Sequence, residues 1–437
     1  MKYSRFSLGL AAAVALTVVG TAEVAIAEDT IFLPGLTYRT GPYAPNGIPF
    51  GNGFRDYITL INERDGGVGG VKLVYEECET GYNTKVGVEC YEKMKSKNPV
   101  VVIPNSTGIT YQLIPKAPVD KVPVLTIGYG RTTAADGRVF PWVFNFPTTY
   151  WSQASAVINY IGSQEGGLGN LKGKKIAHIY HNSAYGKEAN PTLDVLAEKF
   201  GYKLTKLAVD HPGQEQKATW LQIRRLKPDY IFMSGWGVMN QVAVKEAAAI
   251  GYPMDHFIGN WWSGTESDVG PAGMGAHNYK AATFHPPGRD FDLHRDILKY
   301  VYDKGLGAGE RSRVGEVLYT RGVFNFIIVV EAIRDAQKKF GVKVVNGEQV
   351  RWALENMSID QARWAKIGLS GLTDIKVTCA DHEGGGPVLI QQWNAKTKTW
   401  RLISGWNKVM RDVVRPMIES GAAAYAKENN ITPRSCS

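Results

Sequence analysis

The residues of this chain that could do chemistry are few, and most are badly spaced for it. His178 and His181 stand three apart in KIAHIYH (residues 175–181), a run that reads as a strand. Side chains alternate across a strand, so the two imidazoles face opposite ways and cannot share a metal ion. Glu76 and Glu77 are adjacent on another strand-like run and diverge for the same reason, so they offer no paired acid and base. No Cys/His spacing resembles a zinc site. The phosphate-cradling, dinucleotide-binding, zinc-protease and nucleophile-elbow motifs are absent. The local pattern supports no enzyme, no metal and no cofactor. Ser106 and Thr107 offer a different chemistry. They follow one strand-like run and precede a helical one, where hydroxyls and free backbone N–H groups can receive a carboxylate. The same pair would also serve as an ordinary helix cap.

Strands and helices in alternation must position these residues. IFLPGLT (31–37), VKLVYEE (71–77), PVVVIPN (99–105) and VPVLTIG (122–128) read as buried strands. Between them Phe54, Tyr57, Ile58 and Ile61 recur at helical spacing, and residues 83–97 and 111–119 read as further helices. The middle of the chain repeats the style. Ala154, Val157, Ile158 and Ile161 mark a helix, KIAHIYH a strand, and Leu193, Leu196, Ala197 and Phe200 the face of another helix. KLTKLAVD, DYIFMSG and HFIGN follow as strands, closing a second α/β unit from about residue 148 to 282. Such alternation with short connections implies right-handed crossovers and parallel sheets. The last third predicts helices over 293–303 and 317–339, a hairpin from 388–394 and 399–404, and a helix near 409–427. The expected fold class is α/β, with two doubly wound lobes.

Length and charge bound the rest. The chain has 437 residues, enough for two or three domains with cores of their own. Its formal charge of +9 raises the question of a polyanion partner. Lys2 and Arg5, the apolar run over 8–20 and Ala25-Ile26-Ala27 read as a signal peptide cleaved after Ala27. The apolar run is shorter than the roughly 20 residues that span a bilayer. The expected location is outside the cytoplasm, where the mature chain carries +8. Its basic residues are scattered, so no nucleic-acid partner is expected. VFNFIIVV (323–330) runs into Glu331 and Arg334 and reads as a buried helix. The four cysteines allow three pairings in an oxidising compartment. Cys78 at a strand end and Cys90 in the next helix are placed to meet, which leaves Cys379 and Cys436 to pin the C-terminal tail onto the second lobe.

An ordered set of segments carries a family resemblance: TYRTGPYAPNG, INERDGGVGGVKLVYEECETG, IPNSTGIT, LTIGYG, YHNSAYGKE, DYIFMSGWG, FIGNWWSG and FNFIIVVEAIRDA. Together they resemble the type I periplasmic substrate-binding proteins of ABC importers, in particular the leucine/isoleucine/valine-binding group, over nearly all of the mature chain. The resemblance implies two lobes joined by three crossovers, with ligand trapped between them. It implies a first lobe of residues 28–147 plus about 284–375, and a second of 148–283 plus about 376–437. Ser106 and Thr107 match the family's carboxylate-binding turn. Tyr43, Asn46, Tyr129 and Gly130 fall in its ligand-facing loops, and Tyr185, Trp236 and Trp261 match its second-lobe positions. The amino-acid binders of the family place an acidic residue where this chain reads GNWW. A desolvated ammonium without a carboxylate is costly, so the expected ligand is an aromatic or aliphatic carboxylate, or an amide. An amino acid whose ammonium meets Glu266 or ring faces is the competing expectation. The resemblance implies a non-enzymatic monomer that delivers its ligand to a membrane permease. A sensor that reads the same closure is the alternative, and a secreted α/β hydrolase the next.

Overall fold

The structure is a computed structural model and describes residues 1–2 and 29–436. The apolar leader and the Ala25-Ile26-Ala27 motif lie outside the described residues. No helix among those described is long and apolar enough to cross a membrane.

Two sheets organise the molecule. In the first, β1 (Thr30–Thr37) runs parallel to β2 (Lys72–Glu79) in continuous register, Thr30 opposite Lys72 and Thr37 opposite Glu79. Single parallel bridges, Gly35 to Ile103 and Val102 to Val124, carry the sheet onward to β3 (Val124–Leu125). β3 then pairs in parallel with β4 (Val143–Phe144). Residues 99–105 and 122–128 were expected as full strands and contribute only these short pairings. Pro99, Pro104 and Pro123 supply no N–H to a ladder, which cuts each run short.

The second sheet has seven strands in the order β13–β12–β9–β8–β7–β5–β6. Its parallel part comprises β5 (Lys175–His181), β6 (Lys203–Val209), β7 (Tyr230–Ser234), β8 (Phe257–Gly259) and β9 (Lys280–Thr283). All five residues of β7, YIFMS, are buried, as a parallel strand covered on both faces should be. After the short antiparallel pair β10 (Ser358–Ile359) and β11 (Ile375–Lys376), the expected hairpin forms. It consists of β12 (Leu389–Asn394) and β13 (Thr399–Leu402), and β12 adds antiparallel to β9.

The first sheet is backed by the helix Ala44–Asp65 crossing the helix Val317–Phe340. The crossing is close because it is made of glycine. A Cβ on Gly53 would meet the Tyr319 carbonyl oxygen at 2.2 Å, and one on Gly322 would meet that of Phe50 at 2.1 Å. Both disulfides, Cys78–Cys90 and Cys379–Cys436, are present. The tail, expected on the second lobe, meets it at its start, where Met410 N donates to Ser155 Oγ and Asp412 pairs with Lys199, and then crosses to residues between the first sheet's strands. The helix Arg411–Glu428 sets Ala422 and Ala426 against Val139 and Phe140, and Val414 and Ile418 against Ala135, all following the first sheet's strands. Arg434 then donates to the Gly137 carbonyl and pairs with Glu355. The small-residue face fits the Phe140 ring, and the buried Glu355 carboxylate draws in the guanidinium.

Candidate functional site

The carboxyl ends of the strands from both sheets converge on a cavity of about 280 Å³, where ligands sit in open α/β sheets. From the first sheet come Tyr38 after β1, Tyr82 after β2 and Tyr129 after β3, with Phe50 from the helix Ala44–Asp65. Asn105, Ser106 and Thr107 follow the bridged segment, and Tyr150 opens the helix Tyr150–Gln164. The second sheet contributes Tyr185, Trp236 and Trp262, after β5, β7 and β8. Eight of these eleven side chains are aromatic, and none is Asp, Glu, Lys or Arg.

The rings interlock. Tyr38 meets Tyr82 at 5.0 Å and Trp236 at 6.2 Å between centroids, and Trp236 meets Trp262 at 5.5 Å. These edge-on geometries suit the ring quadrupole. Burial pushes the Tyr38, Tyr82, Tyr129, Tyr150 and Tyr185 phenols upward, so each stays protonated and able to donate. Some polar groups are already spoken for. Tyr129 Oη accepts from Asn105 N at 2.9 Å, and Thr107 Oγ1 accepts from Gly130 N at 3.2 Å. Tyr185 Oη donates to the Gly235 carbonyl at 2.9 Å and accepts from Asn260 Nδ2 at 2.8 Å. Ser106 caps the helix Thr107–Leu113, receiving Ile109 N at 3.4 Å. Trp236 Nε1 is buried with no partner.

Of the nine ligand residues expected from sequence, Ser106, Thr107, Tyr129, Tyr185 and Trp236 line this cavity, and four do not. Tyr43 stands at the mouth, in an adjoining space of about 910 Å³ that shares Tyr82, Ser106 and Tyr185 with the inner cavity. There its hydroxyl meets His181 Nε2 at 2.9 Å across the cleft. Asn46 faces away and donates to Asp268 Oδ1 at 3.1 Å. Gly130 shapes a turn at φ 96°. Trp261 is turned into the core and bonds the Gly128 carbonyl at 2.7 Å, while its neighbour Trp262 takes the wall position. His178 is satisfied by Asn190 and Ser234 and pushed down to about 4 by burial, so it is a neutral core residue.

Tyr38, Phe50, Tyr82, Asn105, Tyr150 and Trp262 line the site without having been singled out from sequence. Tyr82 had the weakest sequence signal, because its backbone is left-handed at φ 60°, a conformation few tyrosines adopt. Position directly after a strand was the available signal for Tyr38. Glu266 and Asp268, the acids nearest in sequence, also lie off the cavity. Asp268 accepts from Thr265 N at 3.1 Å as well as from Asn46, and Glu266 accepts from Val317 N at 3.1 Å and borders a surface groove. Among the described residues no group of three or more His, Cys, Asp or Glu is placed to hold a metal ion.

A family model described as periplasmic binding protein matches residues 30–398. A solved structure from the Pseudomonas fluorescens group, described as an ABC transporter permease, is 46% identical. It covers 94% of this chain and 100% of its own, with a TM-score of 0.86. The fold is shared with a branched-chain amino acid ABC transporter from Thermus thermophilus with bound valine (22% identity, 89% and 99% coverage, TM-score 0.75). It is also shared with an R. palustris solute binding protein in complex with benzoate (16%, 87% and 97%, 0.68). No curated protein matches the chain. On the residues matched and the two-sheet cleft, the chain belongs to the periplasmic binding protein family and is a solute-binding protein, not an enzyme.

Proposed function

We propose that the protein is the periplasmic component of an ABC importer, closing as a monomer over a small aromatic ligand that carries a carboxylate or amide and no ammonium group. One observation carries this reading: the cavity wall has eight aromatic side chains and no charged one. An ammonium group enclosed there would lose its hydration with no carboxylate to replace it. The wall suits an acceptor, since the buried Trp236 Nε1 has no partner and the Ser106 and Thr107 hydroxyls line the same cavity.

Closure follows from the same wall. Residues from both sheets must meet around the ligand, so ligand stabilises the closed state by its differential affinity. The proposed hinge is the set of crossings near residues 147, 284 and 376. The leader is proposed to be removed after Ala27. A thermal-shift panel of benzoate, phenylacetate and benzamide against leucine, isoleucine, valine and phenylalanine tests the ligand class. Ligand at about 100 times its Kd adds roughly 2.7 kcal/mol. The largest shift is expected from the first three compounds, and a largest shift from any of the amino acids refutes the reading.

A further inference from the structure

One buried charge is left unexplained by the fold. Arg321, on the helix Val317–Phe340, has no solvent exposure. Its guanidinium donates to the Trp261 carbonyl and, at 3.3 Å, to Thr283 Oγ1, while Nε has no partner. It also lies over two ring faces, with the guanidinium carbon 5.1 Å from the Trp262 centroid and 4.7 Å from that of Phe284. None of these contacts is a carboxylate. A buried guanidinium without a counter-ion is costly to keep, and helix or core packing alone gives no reason for a charge at this position.

The charged and titratable groups that act on Arg321 are Asp268, Glu266, Tyr150 and His285. Asp268 and Glu266 are held by the bonds already described, and burial raises both to about 7, so part of their negative charge is missing near neutral pH. His285 is pushed down to about 3 and Tyr150 well up, so both are neutral. Trp262 is therefore the layer between an incompletely balanced cation and a cavity whose wall carries no charge.

We propose that Arg321 sets the charge selectivity of the cavity, its guanidinium lying one tryptophan ring away and favouring an anionic ligand group over a neutral one of the same shape. The proposal rests on the aromatic-ligand reading above and chooses between the two head groups that reading leaves. Arg321 touches no ligand; it acts through Trp262. Unit charges roughly 9 Å apart at an effective dielectric of about 20 correspond to about a twentyfold effect on affinity.

Benzoate and benzamide share a shape and differ in charge, so calorimetric titration of both into wild type, Arg321→Met and Arg321→Lys tests the idea. Wild type is expected to prefer benzoate. Arg321→Met should weaken benzoate about twentyfold and benzamide less than threefold, and Arg321→Lys should recover most of the benzoate affinity. Equal losses for both probes, or no loss for benzoate, overturn the role of Arg321 alone. Should Arg321→Met not fold, the wild-type ratio across pH 6 to 8.5 decides. As Asp268 and Glu266 ionise, the preference for benzoate should fall several-fold, and a flat ratio overturns the proposal. A wild type that binds neither probe, or prefers benzylammonium, refutes the ligand class and the role together.

Discussion

Trp236→Ala removes the ring through which the second sheet's side of the cleft meets the first. In the structure Trp236 faces Tyr38 at 6.2 Å and 77°, and Tyr82 at 6.4 Å and 43°. Both partners follow strands of the other sheet. Aromatic pairs of this kind contribute about 0.5–1.5 kcal/mol each beyond burial, so two of them favour closure by about 2 kcal/mol. Losing that preference lowers the share of binding-competent protein and weakens apparent affinity about thirtyfold. Contacts to the ligand itself add to the loss. Trp236→Phe keeps most of the ring contact and removes only the Nε1 donor, so its expected loss is nearer fivefold, the value of about 1 kcal/mol for one hydrogen bond. Titration calorimetry with phenylacetate measures both variants, and urea unfolding without ligand checks the fold. The reasoning fails if Trp236→Ala binds within threefold of wild type, or if Trp236→Phe loses as much as Trp236→Ala.

Three further outcomes follow from the geometry. Tyr185→Phe leaves Asn260 Nδ2 without its acceptor, while the Gly235 carbonyl keeps Ser263 Oγ, and should lower unfolding stability by about 1–3 kcal/mol; an unchanged urea midpoint contradicts this. Asp268 holds its proton up to about pH 7 in the buried site, whereas the unfolded carboxyl releases it near pH 4. The native state thus binds the extra proton between those values, and stability falls as pH rises from 4 to 7. Asp268→Asn removes that slope and should gain up to about 4 kcal/mol on wild type between pH 4 and pH 8, at roughly 1.4 kcal/mol per pH unit; parallel pH profiles refute it. The Cys379→Ala/Cys436→Ala double variant opens a bridge of sequence separation 57. It should lower stability by up to about 4 kcal/mol with phenylacetate affinity unchanged, because neither cysteine lines the cleft. An unchanged midpoint contradicts the first part, and weakened binding the second.

The sequence discloses the parts of this molecule that depend on local pattern. β-Branched runs and helical spacing mark β1, β2 and the helix Val317–Phe340, and strand ends mark Ser106, Tyr129, Tyr185 and Trp236. Features decided by one backbone torsion or by distant packing stay hidden. Nothing local says which of Trp261 and Trp262 faces the cleft, because both rings donate to the Gly128 carbonyl and distant packing decides between them. Phe50 lies in a helix whose exposed and cleft-facing sides differ only once the Gly53–Gly322 crossing is made. The far end of the tail is equally hidden, because the clustering of Ala422 and Ala426 with Phe140 joins residues nearly 300 positions apart in the chain.

The central claim is that the cleft has no place for an ammonium group. Phenylacetate and L-phenylglycine differ by that group alone, and titrating each into the protein compares them directly. A desolvated, unpaired ammonium costs several kcal/mol, so phenylacetate is expected to bind at least about a hundredfold more tightly. Equal or tighter binding of L-phenylglycine would contradict the account.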